Sequence, residues 1–144
     1  YQLRDSCALI AAKAAKGSER LVLSHIEFLN SIDEQRDGLS STIIKATPFL
    51  IDSPPTLNVV LPALYSSLVG SSVRKRAAAG EALGDLGRAR ISDLPELVLE
   101  AFVLLLLDQY VMVHKAAVSA LSSIDLPEHL ERRAGAALLQ LISY

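Results

Sequence analysis

Three histidines, one cysteine, a triplet of helix-spaced glycines and a run of basic residues are the features of this 144-residue chain that could carry chemistry. A zinc site needs several ligands converging on one point. His25, His114 and His129 lie far apart in sequence, and no H-E-x-x-H or Cys/His cluster accompanies them. His25 and Glu27, two apart on a helix, point to different faces. No metal site and no cofactor are expected. Cys7 stands beside Ser6 and Asp5 with Arg4 as its one basic neighbour, so the expected role is a small buried hydrophobe rather than a reactive thiol. Gly80, Gly84 and Gly87 do not have the spacing of G-x-x-x-x-G-K-[ST], and no strand precedes them. At about 100° per residue they form one stripe with Ala77, which suits the close approach of another helix. Glycine inside a helix costs about 1 kcal/mol relative to alanine, and such packing has to offset that.

The basic residues carry more. Arg74, Lys75, Arg76, Arg88 and Arg90 are opposed between Val73 and Arg90 only by Glu81 and Asp85, and Lys115, with Arg132 and Arg133, continues the charge in later helices. The plain reading is a solvated turn with one arginine committed to an ion pair. Cations at the start of a helix oppose its macrodipole, a local penalty that favours a purpose for the cluster. Arg74, Lys75, Arg88, Arg90 and Lys115 are the candidate partner-binding residues, for an acidic protein partner ahead of a nucleic-acid backbone.

The elements that position these residues follow from composition and spacing. Hydrophobic residues make up 51% of the chain, aromatics only 5%, and tryptophan is absent, so the core is aliphatic and the dominant residues are helix formers. The length suffices for one continuous core. A net charge of −2 shows no global bias towards nucleic acid or anionic membrane. The most apolar run, Ala101 to Leu107, is far shorter than the ~20 residues of a membrane span. No secretory signal is visible, and a single cysteine fits a reducing, intracellular (cytoplasmic) setting. The start at Tyr1 and an uncapped end at Tyr144 suggest a piece of a longer polypeptide.

Eight helices are expected and no strand, because no segment sustains period-two alternation. The first runs from Gln2 to Lys16 and stops at Gly17; Ser18 caps a second, Glu19 to Ser31, with Leu21, Val22, Ile26, Phe28 and Leu29 on its apolar side. Asp33 to Gly38 reads as a loop, and a third helix from Leu39 is kinked or ended by Pro48. Helices follow over Thr56 to Val69 and from Ser72 to Leu86, the latter ended by Gly87. Asp93-Leu-Pro-Glu opens the next, which ends near Leu107; Tyr110 to Ile124 is its partner, and Asp125-Leu-Pro-Glu starts the last.

The second half repeats itself. Val73 to Leu83 recurs 38 residues later as Val111 to Leu121, aligning Ala78 with Ala116, Ala82 with Ala120 and Leu83 with Leu121. A unit that cannot bury its apolar face alone must stack on its neighbours. Leu61, Leu64, Leu68, Leu83, Leu86, Leu99, Phe102, Leu106 and Leu121 are the expected core.

These units resemble HEAT repeats, whose second helix opens with V-R and continues A-A-x-A-L. The family also tends to have a proline in the first helix, an aspartate in the turn and an arginine six residues on. Here the marks are split. Pro62 and Arg76 belong to one unit, where Gly70 replaces the aspartate and Lys75 the valine; Asp108 and Val113 belong to the next, where Glu100 replaces the proline and His114 the arginine. The clear match spans Leu57 to Ile124, and the unit is slightly short of the ~40–47 residues usual for the family. The resemblance implies an α-solenoid of antiparallel helix pairs, with residues 1–52 a divergent N-terminal cap or degenerate repeat and 53–144 HEAT-like repeats. Second helices would line its concave surface. Stacking the units in register should bring Arg76 and Asp108 together as an inter-repeat pair.

With no convergent acid, base or nucleophile, the expected function is a non-catalytic protein-interaction or scaffold module that presents its second-helix face. The alternatives are a nucleic-acid-binding HEAT-like domain and a regulatory or sensor region of a larger enzyme. HEAT-like DNA glycosylases are a fold analogy for the former, but their aromatic and acidic damage-reading residues have no visible counterpart here.

Overall fold

The computed structural model describes residues 2–91 and 93–143. Tyr1, Ser92 and Tyr144 lie outside the described residues, so the outer limits of the two expected segments do too. Among the described residues the chain forms eight α-helices, three short 3-10 segments and no strand.

Local chemistry sets most boundaries. Helix α1 (Gln2–Ala15) ends ahead of Gly17, whose φ of 87° lies in the left-handed region that glycine enters at least cost. Ser18 caps α2 (Glu19–Ser31) by accepting the Leu21 N–H. Val22, Ile26 and Leu29 form its buried stripe, whereas Leu21 and Phe28, also assigned to the apolar side, flank that stripe and are exposed. The expected loop at Asp33 to Gly38 is instead a 3-10 turn, Glu34–Arg36, leading straight into α3 (Asp37–Ala46). The Asp33 carboxylate accepts the Gln35 N–H, so the turn is capped rather than open. Pro48 falls in a second 3-10 segment, Thr47–Leu50, and α3 has already stopped.

Helix α4 (Pro54–Leu68) begins earlier than expected because Pro54 and Pro55 occupy its first turn, with a Ser53/Thr56 capping box. Helix α5 (Val73–Arg88) is capped by Ser72, which accepts the Lys75 N–H. Gly87 does not end it. The Ile91 N–H reaches the Leu86 carbonyl and the Arg90 N–H reaches that of Gly87, with Arg90 at φ 62°. That bond pair is a Schellman motif, and an arginine stands where glycine is usual. The last elements are α6 (Glu96–Leu104), a 3-10 turn (Leu105–Leu107), α7 (Val111–Leu121) and α8 (Glu128–Ile142).

Packing runs between alternate helices. Helix α1 packs on α3, α3 on α5 and α5 on α7, while α2 packs on α4, α4 on α6 and α6 on α8. One apolar cluster runs through both sets, from Ala12 in α1 to Ala137 in α8. Of the nine expected core residues all are buried except Leu121, which is half-buried.

The tightest contact is the α5–α7 seam, made by the glycine stripe. A Cβ on Gly84 would lie 2.7 Å from the Ala120 Cβ, and one on Gly87 would lie 2.1 Å from the Ser123 carbonyl oxygen. Gly87 is therefore a packing residue rather than a helix breaker. Among the described residues no helix is long and apolar enough to cross a membrane.

Candidate partner-binding groove

The α1–α3–α5–α7 side carries a groove of about 660 Å³ that crosses all four helices. Helix spacing explains the lining. Ala77 and Ala78 of α5, Ala116 of α7 and Gly38 of α3 are too small to fill the gaps between neighbours. Longer charged side chains then stand along the groove: Arg4 and Asp5 from α1, Lys45 from α3, Arg74 and Glu81 from α5, and Lys115 from α7. Four cations face two carboxylates, so the groove is basic although the whole chain is slightly acidic.

Both carboxylates are engaged. The Asp5 Oδ1 accepts the Thr42 hydroxyl at 3.2 Å, and Glu81 lies 3.9 Å from Lys45 Nζ. Arg74 sits 4.0 Å from Asp37 in the first turn of α3, and the other oxygen of Asp37 accepts the Ser72 hydroxyl at the α5 cap. An anion at that cap offsets the cost of placing Arg74 and Lys75 at the positive end of a helix. Lys115 is exposed and has no carboxylate within 4 Å among the described residues.

The candidate residues do not all meet. Arg74 and Lys115 share the groove, and Arg88 stands in a continuation of it beside Glu81 and Ala116. Arg88 is held by Asp85 at 2.6 Å and reaches the Ser123 hydroxyl. Arg90 lies past the far end of α5, roughly 24 Å along the helix from Arg74 by the rise of 1.5 Å per residue, in a separate cleft with Asp52 and Asp93. Lys75 is half-buried and does not line the groove. Arg132 and Arg133 belong to α8, which packs on α6, and Arg132 is tied to Glu128. The sequence cluster therefore divides. Arg4 and Lys45 complete the groove and were not evident in the sequence, where neither stands near another candidate cation. The signal that locates them is spatial, the succession of α1, α3, α5 and α7.

The split motif closes as its residues suggested. Arg76 Nε donates to Asp108 Oδ2 at 2.8 Å and Nη2 to Oδ1 at 3.3 Å, with both side chains about seven-eighths buried. Nη1 donates to the Gly70 carbonyl at 3.0 Å. At the equivalent place in the next unit, His114 Nδ1 lies 3.1 Å from the Asp108 carbonyl. Both residues thus hold the carbonyl six positions back, and Arg76 has guanidinium left over to reach across to the next turn. Asp108 also accepts the Tyr110 N–H, and the Tyr110 ring lies 5.9 Å from the guanidinium.

Two other expectations are corrected. Cys7 is exposed, because α1 turns Ala12 and Ala15 towards its neighbours and leaves Cys7 on the opposite side. His129 is not isolated: it meets Glu96 and Glu100 of α6. No family model, curated protein or solved structure matches the chain.

Proposed function

We propose that this chain is a HEAT-like α-solenoid segment acting as a non-catalytic interaction module, and that the groove across α1, α3, α5 and α7 receives an acidic segment of a partner protein. The observation that carries this reading is the groove itself. It runs over successive second helices, has a floor of small residues, and sets four cations against two engaged carboxylates. An extended or helical chain could lie on such a floor while its carboxylates meet Lys115 and Arg74. The solenoid reading draws support from the alternate-helix packing and from the equivalent turn bonds of Arg76 and His114.

Charge complementarity of this kind acts mainly on association rate and specificity. The test is binding of the chain to a labelled Glu/Asp-rich peptide and, separately, to duplex and single-stranded nucleic acid. The peptide should bind, and Arg74→Glu with Lys115→Glu should abolish that binding, chiefly by slowing association. Nucleic acid should not bind at ordinary salt. Steeply salt-dependent binding of DNA or RNA, lost on the same reversals, would instead establish the nucleic-acid reading.

A further inference from the structure

On the other side of the molecule, Glu96 and Glu100 of α6 meet His129 of α8, and their ligand atoms all lie within 4.8 Å of one another. Glu96 and Glu100 are one helical turn apart and share a face. His129 Nε2 is in direct contact with the Glu96 carboxylate. Neither glutamate has a lysine or arginine within 4 Å among the described residues. Two carboxylates thus converge with an imidazole as their only close partner, an arrangement that gains from a cation. In the preceding unit the matching positions are Asn58 and Pro62, neither of which is acidic, so the carboxylate pair departs from the repeat.

We infer that Glu96, Glu100 and His129 form a site for a divalent transition metal of the zinc type. Carboxylate oxygen alone would suit magnesium, calcium or manganese; the imidazole nitrogen shifts the preference to zinc and its neighbours. Zinc takes such ligands at about 2.0–2.2 Å, within reach of small side-chain rotations from this arrangement. Three protein ligands leave a coordination position for water. Because the ligands come from α6 and α8, the bound ion would tie the last helix to the stack. This site is independent of the groove, which none of its residues line.

Calorimetric titration of the metal-free full chain with zinc, in excess magnesium, should show one ion bound per chain, with a rise in Tm on addition. His129→Ala and Glu100→Gln should each weaken binding about tenfold or more, since even outer-shell partners of a metal typically cost 10–100-fold. Cys7→Ser, which removes the one thiol, should leave binding unchanged. In the unsubstituted chain zinc should shift the imidazole resonances of His129 and not those of His25 or His114, a readout that needs no variant to fold. The site is rejected if zinc does not bind, if magnesium displaces it, if Cys7→Ser abolishes it, or if another histidine responds.

Discussion

Arg76 holds two turns at once, and its three hydrogen bonds differ in what they depend on. The two to Asp108 are charge-assisted and bidentate, a geometry that lysine cannot reproduce. Hydrogen bonds to charged groups are worth about 1.5–3 kcal/mol, more than those of exposed pairs, and this pair is mostly shielded from water. Asp108→Asn should therefore destabilise the chain by about 2 kcal/mol in urea denaturation. Combined with Arg76→Met it should show a coupling energy of about 1–3 kcal/mol, the range for residues in direct contact. A coupling near zero would mean that the pair is incidental. This contact was legible in the sequence because two residues of one motif were missing from complementary units. The meeting of His129 with Glu96 was not, because no spacing along the chain encodes the approach of α8 to α6. Cys7 was misjudged for a similar reason: composition says that cysteine is often buried, but only the packing of α1 decides which face is free.

The α5–α7 seam separates two effects that glycine combines, helix propensity and space. At Gly80 a new Cβ would meet the Leu105 Cδ1 at 3.3 Å, the far end of a side chain that can rotate. At Gly87 it would meet a backbone oxygen at 2.1 Å, which can move only if the helix moves. Gly80→Ala should thus be neutral or stabilising by up to about 1 kcal/mol, the propensity difference. Gly87→Ala should destabilise by about 1–3 kcal/mol or more, the usual cost of overpacking. Thermal melting of the two variants checks both signs, and a similar loss in both would show that the stripe is uniformly tight. The spacing of Gly80, Gly84 and Gly87 was enough to place them on one face. Gly87 was nevertheless expected to end the helix, since glycine signals both a close approach and a terminus. The actual stop is the Arg90 conformation, which a search for glycine or proline passes over. Helix starts were easier to read, because Ser18, Ser72 and the Ser53-Pro-Pro run act through local bonds.

Across the whole molecule a single apolar cluster joins all eight helices, so units that look repetitive in sequence share one core. Unfolding should then be one cooperative transition, with far-UV dichroism and tyrosine fluorescence giving coincident curves. Leu83 is fully buried in α5, between the groove side and the core, and Leu83→Ala should cost about 2–5 kcal/mol without splitting that transition. Two separated transitions would mean that residues 1–52 fold independently of the rest. The core was readable because burial follows helical periodicity, and eight of the nine residues named from that pattern are buried. The groove was only partly readable. Arg74 and Lys115 lie in the visible repeats, whereas Arg4 and Lys45 join them only through the stacking of α1 and α3, where the repeat is faint.

Gly84 and Gly87, one turn apart, are subject to different rules of inheritance. The obstacle at position 84 is chiefly the side chain of Ala120, so the two positions share one allowance of volume: if 120 shrinks to glycine, 84 gains room for alanine. Variation there can be reciprocal, passing through descendants as linked exchanges. The obstacle at position 87 is the main chain of Ser123, whose carbonyl every residue type carries. No partner substitution can make that room, so position 87 stays glycine for as long as α5 and α7 keep their present distance.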